Sequence, residues 1–178
     1  MIVVTNDTND ELFMARALEL AARGEGAVEP NPMVGCVLVR DGRIVGEGWH
    51  QEFGGPHAEI NAIKQAGPLT TGSTAFVTLE PCCHQGKTPP CTNALKITGV
   101  KRVVAVMEHC AKDGSPKILK KCTLPITAEG VVNLVITDLC VFEVKIGGGL
   151  VLIELHPGAT VDDIRAKTGA PFDVALKR

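Results

Sequence analysis

Two apolar runs, Val34–Arg40 and Arg43–Gly48, meet at Asp41-Gly42. That dipeptide suits the two positive-φ positions of a two-residue hairpin turn, so the runs are read as adjacent antiparallel strands. The chain that follows narrows the fold further. His57–Ala66 reads as a helix, Thr74–Leu79 as a buried strand, Cys91–Thr98 as a short helix ending at Gly99, and Arg102–Val106 as another buried strand. A hairpin followed by helix–strand–helix–strand predicts an α/β layer with partly parallel strands. Ahead of the hairpin, Thr8-Asn-Asp-Glu11 has the form of a capping box, and Phe13, Ala17 and Leu20 with Met14, Leu18 and Ala21 recur at helical spacing. A helix over residues 9–23, stopped near Gly24, is therefore expected. Glu29-Pro-Asn-Pro32 must be extended or turned, because proline disfavours helix in the residue before it.

Composition sets outer bounds. A chain of 178 residues with 45% apolar content is worth about one domain, two at most, and can bury a core. Eighteen basic residues against twenty acidic ones leave no cationic excess, and aromatics are 3% with no tyrosine. Phosphate-backbone binding and base stacking both lack their usual means, so nucleic acid is not the expected partner. No apolar run approaches the roughly 18–20 residues of a membrane span. The opening Met1-Ile-Val-Val-Thr-Asn6 lacks the basic start of a signal peptide, and a cytoplasmic protein is expected. In that reducing setting seven cysteines read as metal ligands or small hydrophobes before disulfides.

The pattern changes after Val106. Glu108–Glu129 is polar and aperiodic, then Val131–Ile136, Val141–Val144 and Leu150–Leu155 read as strands. Thr160-Val-Asp-Asp163 caps a short helix to about Lys167. Two regions are expected on this basis, residues 1–107 and residues 108–178.

The chemistry concentrates in the first region. His57-Ala-Glu59 is followed by Pro81-Cys82 and then by Cys91. One imidazole and two thiolates make three ligands for a tetrahedral Zn²⁺ and leave the fourth position to water, the catalytic rather than the structural arrangement. His57 and Cys91 each open an expected helix, where the positive end of the dipole favours thiolate. Glu59, two residues beyond His57, can face that water without being a ligand. The zinc deaminase pattern is H-x-E followed by P-C-x-x-C; here the two cysteines stand nine apart, with Cys83–Pro90 looped between them.

Residues 9–107 resemble the deaminase domain of the bifunctional riboflavin-biosynthesis deaminase/reductase. The resemblance is carried by Met14-Ala-Arg-Ala-Leu18, Asn31-Pro-Met-Val-Gly-Cys36, Gly46-Glu-Gly-Trp-His50, His57-Ala-Glu59, Thr78-Leu-Glu-Pro-Cys-Cys-His84 and Gly86-Lys-Thr-Pro-Pro-Cys91. It implies a cytidine-deaminase-like layered α/β sandwich with a mixed sheet. It also implies zinc on His57, Cys82 and Cys91, with Glu59 as proton shuttle. Asn31, His50, His84 and Lys87 become substrate contacts, the lysine supplying a point charge for phosphate. The implied reaction is hydrolytic deamination of a phosphorylated diaminopyrimidinone with loss of ammonia. Zinc would bring a bound water to hydroxide near neutral pH, and Glu59 would move the proton to the leaving amine. Of the remaining cysteines, Cys36, Cys110, Cys122 and Cys140 read as packing residues and Cys83 as a spare thiol.

The resemblance stops at residue 107, short of the family's closing helix and strand and of its reductase domain, so no pyridine-nucleotide reduction is expected. Residues 107–172 resemble instead the C-terminal part of the second polypeptide of a 3-oxoacid CoA-transferase. The matching segments are Met107-Glu-His109, Ala111-Lys-Asp-Gly-Ser-Pro-Lys-Ile-Leu119, Thr137-Asp-Leu139, Gly149-Leu-Val-Leu-Ile-Glu-Leu155 and Ile164-Arg-Ala-Lys-Thr-Gly-Ala170. The implied tail is a β-rich α/β fragment without that enzyme's catalytic glutamate, so no CoA transfer is expected. The whole then reads as a fusion; the competing readings are a catalytically inactive rearrangement product with at most a structural zinc, then a nucleoside or tRNA-editing deaminase, or a CoA-transferase-related binding protein. A truncated sheet leaves an unpaired edge; the tail strands could cover it or pack separately. An open edge also favours homo-oligomers.

Overall fold

The computed structural model describes residues 7–82, 90–120, 130–145 and 147–176. Asp41 and Gly42 take φ of 52° and 73°, the left-handed pair a tight hairpin requires, and join β1 (Gly35–Arg40) to β2 (Arg43–Trp49). The pairing runs antiparallel from Gly35↔Trp49 to Arg40↔Arg43. On its other side β1 pairs antiparallel with β3 (Thr74–Val77), which pairs parallel with β4 (Arg102–Val106). The mixed sheet expected from the sequence is present.

Successive residues of β1 serve opposite faces, and both faces are buried. Val37 and Val39 pack with Phe76 and Val104 against Met14, Ala17 and Leu20 of α1 (Asp7–Ala22). Cys36 and Leu38 pack with Ala75, Val77 and Val103 against Ala58, Ala62 and Ala66 of α2 (Ala58–Ala66) and Leu95 of α3 (Cys91–Ile97). α1 starts at Asp7, so Thr8 lies inside the helix instead of capping it. A 3₁₀ turn over Gly67–Thr70, absent from the sequence reading, links α2 to β3.

α2 rides unusually close to β2. A Cβ on Gly48 would stand 2.3 Å from Ala58 O and 2.4 Å from Ala62 N, so a side chain there is excluded by helix backbone. This approach sets the depth of the helix that carries the candidate chemistry.

The tail extends the same sheet. β5 (Leu134–Ile136) lies parallel to β4 through Val104↔Leu134, Ala105↔Val135 and Val106↔Ile136. β6 (Cys140–Val144) and β7 (Leu150–Leu155) follow antiparallel, and β8 (Phe172–Val174), not foreseen in the sequence, closes the order β2-β1-β3-β4-β5-β6-β7-β8. The edge of β4 is therefore paired. The expected strand over 131–136 is shorter because the Asn133 carboxamide takes a backbone's place: its Oδ1 accepts from Val103 N at 2.8 Å.

α4 (Val161–Lys167) covers one face of the tail strands, burying Ile164 against Cys140, Phe142 and Leu152. Its expected cap forms, with Asp163 N donating to Thr160 Oγ1 at 3.2 Å and Thr160 N donating to Asp163 Oδ2 at 3.0 Å. His109, for which the sequence suggested no partner, is fully buried between Thr137 Oγ1 at 3.1 Å and Thr168 Oγ1 at 3.0 Å. It joins the chain leaving β4 to the β5–β6 turn and the end of α4.

Candidate metal centre

His57 precedes α2 in an extended conformation, φ −70° and ψ 163°. Cys91 is the first residue of α3, and Cys82 lies on the segment leaving β3. Three separate elements thus deliver three donor atoms, and those atoms lie within 4.8 Å of one another. His57 Nδ1 is 3.4 Å from Cys82 Sγ and 3.3 Å from Cys91 Sγ. A tetrahedral zinc with bonds of about 2.0–2.1 Å to nitrogen and about 2.3 Å to sulfur spaces N from S by roughly 3.5 Å. The donors fit the ion in kind and in spacing, and three protein ligands leave one position free for water.

The charges divide unevenly, with Cys82 and not the helix-opening Cys91 favoured as the thiolate. Hydrogen bonding from the Cys91 thiol, and then from His57, holds Cys82 well below the usual thiol range. Cys91 is pushed up by the reciprocal bond and by burial. The Cys91 backbone N–H also donates to Cys82 Sγ at 3.3 Å. The bond to Cys82 raises the pKa of His57. A dication binding both sulfurs would displace the proton that Cys91 retains.

Glu59, in the first turn of α2, is 3% exposed, and burial pushes its carboxyl above the usual carboxylate range. It interacts with the Cys91 thiol, so it faces the donor cluster, and it also lies close enough to raise the buried thiol of Cys36. A carboxyl with a raised pKa, held beside a metal but outside the ligand set, can take up and return a proton.

Of the expected substrate contacts, Asn31 and His50 come together. Asn31 Nδ2 is 3.2 Å from His50 Nε2, and the His50 ring meets the His57 ring edge-on at 5.4 Å between centroids. His50 Nδ1 lies 3.2 Å from Pro56 O. That carbonyl can only accept, so the Nδ1–H tautomer follows and Nε2 accepts from Asn31. His84 and Lys87 lie outside the described residues, as do Cys83 and Cys122. Cys36 and Cys140 are fully buried packing residues, as read from the sequence.

Comparison with known proteins places this geometry. The family model for the cytidine and deoxycytidylate deaminase zinc-binding region matches residues 7–107, more than half of the chain. The chain belongs to that family. Its zinc chemistry accords with the His/Cys/Cys group. A coenzyme A transferase model also matches residues 91–167, overlapping the first. The riboflavin biosynthesis protein RibD of Escherichia coli K12 is 57% identical over 109 residues, covering 61% of this chain and 29% of that protein. The chain thus spans less than a third of that relative. The diaminohydroxyphosphoribosylamino-pyrimidine deaminase of Buchnera aphidicola subsp. Schizaphis graminum is 47% identical over 122 residues, covering 68% of this chain and 80% of that protein. Among solved structures, Acinetobacter baumannii RibD superposes with TM-score 0.56 at 50% identity over 57% of this chain and 29% of that one. The deaminase/reductase of Thermotoga maritima superposes with TM-score 0.55 at 36% identity over 95% of this chain and 36% of that one. The cytidine-deaminase-like fold read from the sequence is that of these neighbours. Among the described residues no helix is long and apolar enough to cross a membrane.

Proposed function

We propose that this chain is a zinc-dependent hydrolytic deaminase of riboflavin biosynthesis, acting on diaminohydroxyphosphoribosylaminopyrimidine and yielding 5-amino-6-(5-phosphoribosylamino)uracil and ammonia. The observation that carries the reading is the convergence of His57, Cys82 and Cys91 donor atoms within 4.8 Å beside buried Glu59. The names of the relatives supply the substrate class, and the long cysteine spacing fits that class.

His57, Cys82 and Cys91 would hold the zinc, which supplies the positive charge that makes hydroxide available at neutral pH. Glu59 takes the proton released as water oxygen bonds to the ring carbon. The same carboxyl then protonates the amino nitrogen, the C–N bond breaks, and ammonia leaves with its electron pair. Asn31 and His50, bonded to each other beside the His57 ring, would bind the substrate ring. His84 and Lys87, between Cys82 and Cys91 in the sequence, would meet the polar and phosphate groups.

The same reading takes residues 1–107 as the deaminase region and residues 108–178 as a CoA-transferase-like fragment fused to it, in a cytoplasmic protein that assembles with copies of itself. The coenzyme A transferase match over residues 91–167 supports the second part. The decisive experiment measures bound zinc per purified chain in wild type and in Cys91→Ser, then ammonia release by wild type and Glu59→Gln. About one zinc, lost in C91S, with turnover abolished in E59Q but zinc retained, is expected. A metal-bearing wild type inert toward the substrate would refute the assignment and favour a non-catalytic fusion.

A further inference from the structure

Asn61 was not singled out by its sequence context, yet it stands four residues beyond His57, one helical turn along the same face of α2. Its backbone N–H donates to His57 O at 3.1 Å. Its carboxamide Nδ2 lies 2.9 Å from Trp49 O and 3.3 Å from Pro56 O. The two hydrogens of one amide group thus reach the last residue of β2 and the residue before His57. Pro56 O accepts a second bond, from His50 Nδ1 at 3.2 Å. The peptide that leads into His57 is therefore held from two sides, and the His50 ring so anchored lies edge-on to the His57 ring. Asn61 reaches this position because Gly48 has no side chain: a Cβ there would stand 2.9 Å from Asn61 Cβ.

We propose that Asn61 is a positioning residue for the metal centre, its carboxamide clamping Trp49 O and Pro56 O so that His57 Nδ1 is aimed at Cys82 and Cys91. His57 sits at the junction of a seven-residue connection (50–56) with α2, and no side chain caps that helix start. Without the clamp only His50 Nδ1 still holds Pro56 O and nothing ties Asn61 to Trp49 O, so the connection into His57 loosens and more of the ligand's orientation must be fixed at the moment of binding. Partners of this outer kind commonly set metal affinity by about 10–100-fold. The inference rests on the metal-centre reading above and deepens it.

The test uses the full chain as Asn61→Asp and Asn61→Ala. Aspartate keeps the shape and removes both donors, turning a carboxylate toward two carbonyl oxygens; alanine removes the donors without adding charge. Zinc affinity is read by competition with a chromophoric chelator, and the site's geometry by the visible absorption of the Co²⁺-loaded protein. Far-UV circular dichroism of the metal-free protein reports the fold. Wild type should bind one zinc, and both folded variants should bind it about 10–100-fold more weakly with displaced Co²⁺ bands. Wild-type affinity and spectrum in either folded variant would overturn the proposal while leaving the metal centre standing. Loss of the metal-free fold in both variants would overturn it too, because Asn61 would then hold the domain and not the ligand. A wild type that binds no zinc would overturn the metal-centre reading and this inference with it.

Discussion

Replacing Gly48 with alanine tests whether the depth of α2 governs the metal centre. The added Cβ would meet Ala58 O at 2.3 Å and Ala62 N at 2.4 Å, both backbone atoms that no rotamer change can move. To restore separations of 3.0–3.4 Å, α2 must withdraw from β2 by about 0.7–1.1 Å. Overpacking of this size costs about 2 kcal/mol, or roughly 4–8 °C in Tm for a chain of this length. The larger consequence is local. His57 and Glu59 travel with α2, whereas Cys82 and Cys91 stay with β3 and α3. Metal sites tolerate departures of about 0.2 Å from ideal distances, so a shift several times larger should detach the imidazole. Gly42→Ala makes the control, because the same methyl at φ 73° meets nothing within 4 Å. It should cost about 1 kcal/mol through backbone strain and leave zinc binding untouched. The assay pairs thermal melts of the metal-free proteins with chelator competition. If G48A bound zinc as wild type does, the argument that helix depth sets the site would be wrong, whatever its Tm.

Two further outcomes follow from the tail. Phe142 is fully buried, with its ring 5.1 Å from Phe172 and 6.2 Å from His109, so Phe142→Ala should lose about 3–5 kcal/mol in denaturant unfolding. A loss below about 1 kcal/mol would mean that β6, β7 and α4 share no packed core. Burial lowers the pKa of His109; Asp138 opposes this and Lys167 adds to it. The folded chain thus resists a proton that the unfolded chain accepts near its ordinary value of about 6.5. The resulting stability is complete above that pH and drains away as pH falls from there toward the lower folded pKa. Wild type should therefore lose more Tm than His109→Gln between pH 7.5 and 5.5. Parallel pH profiles would show that His109 is not held neutral.

The hairpin, the helices and most strands were legible because each is encoded locally. Asp41-Gly42 can satisfy two positive-φ positions, β1 alternates between two apolar faces, and Thr160 with Asp163 writes its own cap. The candidate ligands were legible for a different reason: histidine and paired cysteines in that order have few uses, and soft donors announce a metal. Asn61 was not, since a helix-face asparagine has many roles and only the positions of Trp49 O and Pro56 O give it one. The strand over residues 131–136 is shorter than its pattern because the Asn133 side chain takes the one hydrogen bond from Val103 N that the pattern assigned to backbone.

What the sequence determined by itself, then, is the set of local elements and the chemical kinds of group at the site. Where the tail goes was decided only in three dimensions. The strand run around Leu134–Ile136 is equally compatible with a separate sheet, and a short apolar strand carries no label for its neighbour. Its parallel pairing with β4 depends on a free edge built by residues far earlier in the chain, and on His109 tying the chain after β4 to the β5–β6 turn. The metal centre divides the same way: donor types are written along the chain, but their 3.3–3.4 Å spacing exists only because α2, α3 and the end of β3 converge on one side of one sheet.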